Sequence, residues 1–330
     1  MGNIGGKRNY GYGKQLAWAG KQALLDRYGR GHYATRKAHA ERWMQFAKHV
    51  KEKGIHDARH IDRITIEHYA NTVKQAVEQK NLSVAYAQNL LSTVNVVLAT
   101  LRKDRKLVIS PKQYVGERTH VRQIVPCMDY KGLVQLYNQF ARSYSPANTQ
   151  HSQRDSNNLT QHVVMVARLA REFGLRFREA SLLDARQAIK EARKQNRINI
   201  TEGTKGGRGK EKDRWLPINA TQLQTLQQAA ELQQQQRNLI PPEMSFVKWR
   251  NFSYNQWRKI AKPLNIKGFH ELRAAYACVR YQQLTGHPAP VIAGGQRQAP
   301  KTVDQEARKV LAQELGHGRT DVIAAYIGSI

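Results

Sequence analysis

The sequence predicts a mainly α fold, α+β overall, in two domains. Three observations lead there. Apolar residues recur at helical spacing through residues 14–104. The period fails over 105–127, where basic residues are interrupted by Pro and Gly. Beyond 128 helical patterning returns, broken by two short β-like runs at 197–200 and 214–218 around a polar, Gly-rich turn, which predict a small β-sheet.

Residues 1–13 are Gly-rich and basic and read as a flexible arm. A first helix begins near Lys14, with Leu16, Trp18, Ala19, Ala23 and Leu24 at helical spacings. A second spans 35–53, with Trp43, Phe46, Ala47 and Val50 on one face and Gly54 as its stop. Ile64, Ile66, Tyr69, Ala70 and Val73 mark a third. Ser83 is the expected N-cap of a fourth, with Tyr86, Leu90, Leu91, Val94, Val97 and Leu98 inside. Four amphipathic helices make a helical domain over 14–104. Residues 105–127 read as a linker, and 128–330 as the second domain.

In that second domain a helix over 128–143 precedes a polar stretch, 145–158, read as a loop. From Leu159 the chain is apolar and helical. After the two β-runs, helices are expected at 220–236, 254–261, 270–284, 303–315 and 319–327, with a Pro- and Gly-broken loop at 286–301.

Charge narrows the function. Lys and Arg number 54 against 25 Asp and Glu, a formal charge of +29. Such an excess repels itself unless a polyanion shares it. Neutralising phosphates releases counterions, so DNA or RNA is the natural partner. No basic amphipathic anchor, apolar run of membrane length or secretory h-region is evident, so no membrane partner and a cytoplasmic location are expected. Only Cys127 and Cys278 are present, which excludes a disulfide framework and a Cys-based zinc site. The few acidic residues do not cluster at a motif, so neither metal nor cofactor is expected, and a metal-dependent nuclease or transposase ranks low.

Cutting a phosphodiester without a metal needs a nucleophile, cations on the non-bridging oxygens and an acid for the leaving oxygen. Arg suits the oxygens through its planar fork, and Tyr can attack if its neighbours help. The second domain supplies these types in order. GLRFREASLL holds Gly174, Arg176 and Glu179; Lys205 lies in the turn before RWLPI (214–218); HELRAAYA holds His270 and Arg273; LGHGRTDVIAAY holds His317 and ends in Tyr326. Singly, each has a plain structural reading: a solvated helix start, a capped helix with a satisfied His, a helical corner with a core Tyr, or a solvent-facing Lys beside Lys210 and Lys212.

Together, the order resembles the tyrosine site-specific recombinase (phage integrase) family. That family reads G-L-R-x-x-E, a hairpin Lys ahead of R-x-x-P, H-x-L-R, L-G-H and then Tyr. His317 and Tyr326 stand 326 − 317 = 9 apart, the family's spacing. The resemblance implies a SAM-like core-binding helical domain ahead of a mixed α/β catalytic domain. It also implies that Arg176 and Arg273 grip the scissile phosphate, while His270 and His317 hydrogen-bond it and steer protons. Lys205 would protonate the leaving 5′ oxygen, Glu179 would buttress the site, and Tyr326 would form a 3′-phosphotyrosyl bond without metal or ATP.

The partners it implies are double-stranded DNA held in a C-shaped clamp, a tetramer on paired sites, and an accessory bending or directionality factor, in a bacterial, nucleoid-associated setting. Arg36, Lys37 and Arg42 on the second helix, and Ser83, Tyr86, Gln88 and Asn89 on the fourth, are the candidate DNA contacts of the helical domain. The biological role expected is integration or excision of a mobile element. The alternatives are a type IB topoisomerase or resolvase and, outside enzymes, a degenerate DNA-binding protein.

Three departures from the family pattern stand out. Ala274 and Ala275 occupy the positions where relatives carry His-Thr. The gap from Arg273 to His317 is long, 317 − 273 = 44, with the extra residues around 286–301, read as a partner-binding loop, a lid or a disabling lesion. The sequence also lacks, after Tyr326, the helix that many relatives dock on a neighbouring subunit.

Overall fold

The computed structural model describes residues 6–142 and 151–328. Its contacts divide the chain into two units, Met1–Thr119 and His120–Ile330.

The first unit is helical: α1 (Leu16–Tyr28), α2 (Tyr33–Lys51), α3 (Arg63–Glu78), α4 (Val84–Arg102) and a short α5 (Pro111–Val115). Trp43, Phe46, Leu91 and Leu98 lie in its core with essentially no exposure. Ser83 caps α4 as expected, and Asp62 caps α3 in the same way. Asp62 Oδ1 accepts from Thr65 N–H at 2.8 Å and Ser83 Oγ from Tyr86 N–H at 3.3 Å.

Three expectations change here. Helix α4 is long and apolar enough to cross a membrane, against the reading that no run reaches that length. Its Leu90, Leu91, Val94, Val97 and Leu98 are instead buried against the other helices of the unit. Within the supposed flexible arm, Asn9 is buried. It takes Asp57 Oδ1 as acceptor for its N–H at 2.9 Å and accepts from Ala58 N–H at 2.7 Å, so two turns remote in sequence are tied together. The supposed linker is also engaged, because Ile109 and Val115 complete the first unit's core.

The second unit wraps one long helix, α7 (His151–Phe173). Residues Val163, Val164, Met165, Val166 and Ala167 are all fully buried, so over this stretch the helix is apolar on every side, as the middle of a central helix must be. Around it pack α6 (Tyr130–Arg142), α8 (Phe177–Leu182), α10 (Ala220–Gln233), α11 (Phe246–Ile260) and α12 (Phe269–Thr285). The unit also holds α9 (Ala185–Gln195), α13 (Lys301–Glu314) and α14 (Ala324–Ile327). Strands β1 (Arg197–Asn199) and β2 (Trp215–Pro217) pair antiparallel, with Ile198 opposite Leu216.

Helix α7 begins at His151, so 151–158 form its polar first turns and not a loop; 145–150 lie outside the described residues. Helix α11 starts 254 − 246 = 8 residues earlier than expected, since Ser245 caps it. Residues 319–327 are a 3-10 turn (Asp321–Ile323) followed by the four-residue α14, shorter than the helix expected.

Candidate active site

Site geometry starts at the end of α7. Gly174 leaves that helix at φ +62, and a Cβ there would stand 2.5 Å from the Tyr276 ring and 2.9 Å from Leu315. Only glycine fits this turn. Gly174→Ala is expected to cost roughly 2–4 kcal/mol, combining the left-handed backbone penalty with overpacking. Urea unfolding measures it, and a loss well under one kcal/mol would mean that Tyr276 moves aside freely.

The turn delivers Arg176 to the start of α8, where Glu179 Oε2 accepts its N–H at 2.8 Å. Glu179 is fully buried and gathers three guanidinium groups: Arg176 at 2.6 Å, Arg214 at 2.9 Å and Arg273 at 3.7 Å. Burial alone would raise its pKa. The charges of Arg214, Arg176 and Arg273 outweigh that and hold it below the ordinary carboxylate value.

Arg273, on α12, has no exposure. Its Nη1 donates to Gly174 O, its Nη2 to Leu315 O, and its Nε to Tyr326 Oη at 3.3 Å. Burial lowers its pKa to about 10. His317 Nε2 lies 3.0 Å from Tyr326 Oη and 3.3 Å from Arg273 Nη2. The His270 ring stands 5.2 Å from that of Tyr326. Tyr326 is 3 % exposed, whereas Arg176 is half-buried and His270 is exposed, so the latter two form the solvent side of the cluster.

Both imidazoles are pulled below the ordinary histidine value. Burial, then the charges of Arg273, Arg176 and Arg214, pull His317 down to about 3. Desolvation, then Arg273, Arg122 and Arg176, lower His270. The unfolded His317 takes a proton below its ordinary 6.5, while the folded one does so only near 3. Stability from this residue is therefore complete above about 6.5 and is lost as pH falls toward 3. Urea midpoints measured down that range are expected to fall less steeply in His317→Asn than in wild type; parallel curves would contradict the buried, neutral imidazole.

The Tyr326 segment is held by three parts of its unit. Ala324 O accepts from Arg122 N–H at 2.8 Å, Tyr326 O from the Cys278 thiol at 3.8 Å, and Ile327 O from Val291 N–H at 2.8 Å. Arg122 belongs to the stretch read as linker, so 120–127 is also bound, here to the second unit. Val291 belongs to the 286–301 insertion. Ala289, Val291 and Ala299 are buried in the same apolar cluster as Tyr326 and Ile327, and a Cβ on Gly328 would meet Val291 N at 2.7 Å. The insertion thus packs down as a strap over the tyrosine segment. Ala274 and Ala275 are fully buried in α12, which packs closely on α7.

Lys205 is not drawn into this cluster. It is exposed at the start of a 3-10 turn (Lys205–Lys210). Its loop is nonetheless anchored beside Arg176, since Gly203 approaches the Arg178 carbonyl so closely that a Cβ would lie 2.7 Å from it. Arg214 of RWLPI is a further residue of the site, beyond those given a role by the motif pattern. The structure sets it on Glu179 with its Nε donating to Glu314 O at 2.7 Å. Its place in the motif was the available signal.

In the helical unit, several candidate DNA contacts use their polar groups internally. Arg42 donates to Thr93 Oγ1 at 3.1 Å, Gln88 to Gly116 O, and Ser83 caps α4. Tyr86 Oη accepts from Gln45 at 2.9 Å, and Asn89 O accepts from Thr93. Arg36 donates to Arg30 O at 3.4 Å, and Lys37 is exposed. Among the described residues no three His, Cys, Asp or Glu side chains converge as metal ligands.

The chain has the fold of a tyrosine site-specific recombinase, and residues 141–279 match the Integrase family. A solved structure with this fold is the XerH site-specific recombinase bound to a palindromic difH substrate, in a post-cleavage complex. It is 14% identical, with a TM-score of 0.56, covering 94% of this chain and 79% of that one. The XerA recombinase structure is 15% identical with a TM-score of 0.37, covering 95% and 94%. No curated protein sequence matches the chain.

Proposed function

We propose that this protein is a site-specific DNA recombinase that cleaves and rejoins duplex DNA through a 3′-phosphotyrosyl intermediate on Tyr326. The observation that carries the reading is the Tyr326 hydroxyl lying against Arg273 Nε and His317 Nε2, beside cations collected by Glu179. Three arginines against one carboxylate leave an excess of 3 − 1 = 2 positive charges for a phosphate to neutralise. Arg176 and Arg273 hold the non-bridging oxygens, and His270 and His317, as neutral imidazoles, hydrogen-bond them. Tyr326 Oη bonds to phosphorus as the bond to the 5′ oxygen breaks. The phenolic proton leaves toward His317, whose proton affinity rises once the phosphate offsets the arginines. Lys205, on its anchored loop, protonates the 5′ oxygen. The reverse attack by a 5′ hydroxyl rejoins the strand, so neither ATP nor a metal enters the scheme.

On this reading the partners are duplex DNA, a tetramer on paired sites and an accessory bending or directionality factor. The setting is a bacterial cytoplasm, and the role is integration or excision of a mobile element. A covalent trap tests it: nicked suicide duplexes taken from the flanks of the gene's own locus, incubated in EDTA and resolved in SDS. The expected product is an SDS-resistant protein–DNA adduct. Tight binding with no adduct on any flank would transfer the case to a non-enzymatic DNA-binding protein.

A further inference from the structure

A cavity of about 520 Å³ lies in the second unit, lined among others by Tyr130, Arg171, Ile218, Thr221, Tyr276 and Arg280. None of the residues gathered around Tyr326 lines it. We propose that this cavity binds a small organic monoanion, a carboxylate or phosphate on a compact apolar body, held by Arg171 and the first turn of α10.

Arg171 carries the argument. It is 7 % exposed and faces the cavity, yet among the described residues no carboxylate pairs with it, and its enclosed Nε has no acceptor. The other charges here are spoken for. Glu172 Oε1 takes Arg168 at 3.3 Å and the Tyr130 hydroxyl at 2.7 Å, while Glu172 Oε2, also enclosed, has no donor. Arg280 is engaged by Glu314 at 2.8 Å. Counting Arg168, Arg171 and Arg280 against Glu172 and Glu314 leaves 3 − 2 = 1 positive charge, on Arg171. A buried cation that faces the Tyr130 ring at 5.7 Å and has no paired carboxylate among the described residues is costly, and burial accordingly lowers the Arg171 pKa. An anion in the cavity relieves that cost.

The second observation is the helix end. Asn219 caps the 14-residue α10, and both Asn219 and Thr221 line the cavity. The first N–H groups of a helix have no intrahelical acceptor and favour an anion. The rest of the lining explains the apolar body: Pro217, Ile218, Val279 and the tyrosine rings supply hydrocarbon. The volume suits a single-ring ligand. One wall is α12, the helix that carries Arg273. Tyr276 on that wall packs on Gly174, whose carbonyl accepts from Arg273.

The test uses the full chain carrying Tyr326→Phe, without DNA, so its outcome is independent of strand cleavage. Melting is followed at constant ionic strength as sodium phosphate or sodium benzoate replaces chloride. The expected result is a saturable rise in Tm that Arg171→Met abolishes. That variant should itself melt no lower than its parent, because it removes an unpaired buried charge. No rise in the parent, or an equal and unsaturated rise in both, as a general salt effect gives, would overturn the proposal. Should Arg171→Met fail to fold, Val279→Phe fills the cavity instead. It is expected to weaken benzoate binding roughly tenfold or more by calorimetry, and unchanged binding would overturn the site. Displacement of benzoate by a short duplex would assign the occupant to a DNA phosphate and overturn the small-molecule reading.

Discussion

Replacing Tyr326 with Phe is expected to eliminate the covalent adduct while leaving duplex affinity nearly unchanged. The substitution removes one oxygen and keeps the ring that packs beside His270 and His317. Arg273 Nε loses an acceptor in a buried position, a cost of about 1–3 kcal/mol. Its two Nη groups remain tied to the Gly174 and Leu315 carbonyls, so the guanidinium stays in place. Binding depends on charge spread over a chain of +29, which one neutral hydroxyl does not alter. The paired measurement is adduct yield in SDS and retardation of the same duplex in a native gel. An adduct of undiminished yield would remove Tyr326 as nucleophile. Loss of binding together with the adduct would mean that the phenol holds the fold.

Glu179→Ala is the second large effect, and it falls first on stability. One buried carboxylate neutralises Arg176, Arg214 and Arg273 and also accepts the N–H at the start of α8. Without it, Arg214 and Arg273 are buried cations with backbone carbonyls for partners. Removing one member of such a network costs about 3–5 kcal/mol. Chemical denaturation is the check, and Glu179→Gln, which keeps the shape and loses the charge, separates electrostatics from packing. If Glu179→Ala unfolds at the wild-type midpoint, the carboxylate is not what assembles the arginines. A variant that retains its fold is still expected to lose adduct formation, because mutually repelling guanidiniums no longer hold their positions.

Much of this was legible in the chain. The helices of the first unit follow from the spacing of Trp43, Phe46, Ile66, Leu90 and Val94, because a period of 3.6 is a local property. The two strands followed from their flanking Gly-rich turn. The motif order singled out Arg176, Glu179, Lys205, His270, Arg273, His317 and Tyr326, and the structure brings all of these side chains but Lys205 to one place. The polar start of α7 was not legible. A solvated helix turn and a loop have the same composition, and they differ only in what the rest of the helix packs against. The insertion at 286–301 was likewise ambiguous, since Pro and Gly announce a break in helix and say nothing of where the segment lies down.

By itself the sequence determined the helices of the first unit, the two strands, the Ser83 cap, the excess of cations and the list of residue types from which a phosphate site can be built. All of these depend on near neighbours along the chain or on composition. Tertiary structure alone decided which charges are shared and which are left over. Arg42 became an internal link and Arg214 a buried partner of Glu179. Among the described residues no carboxylate pairs with Arg171, and the strap came to rest on the tyrosine segment. The reason is that an arginine's role depends on the acceptor it meets after burial, and that acceptor lies as many as a hundred residues away, as with Arg214 and Glu314.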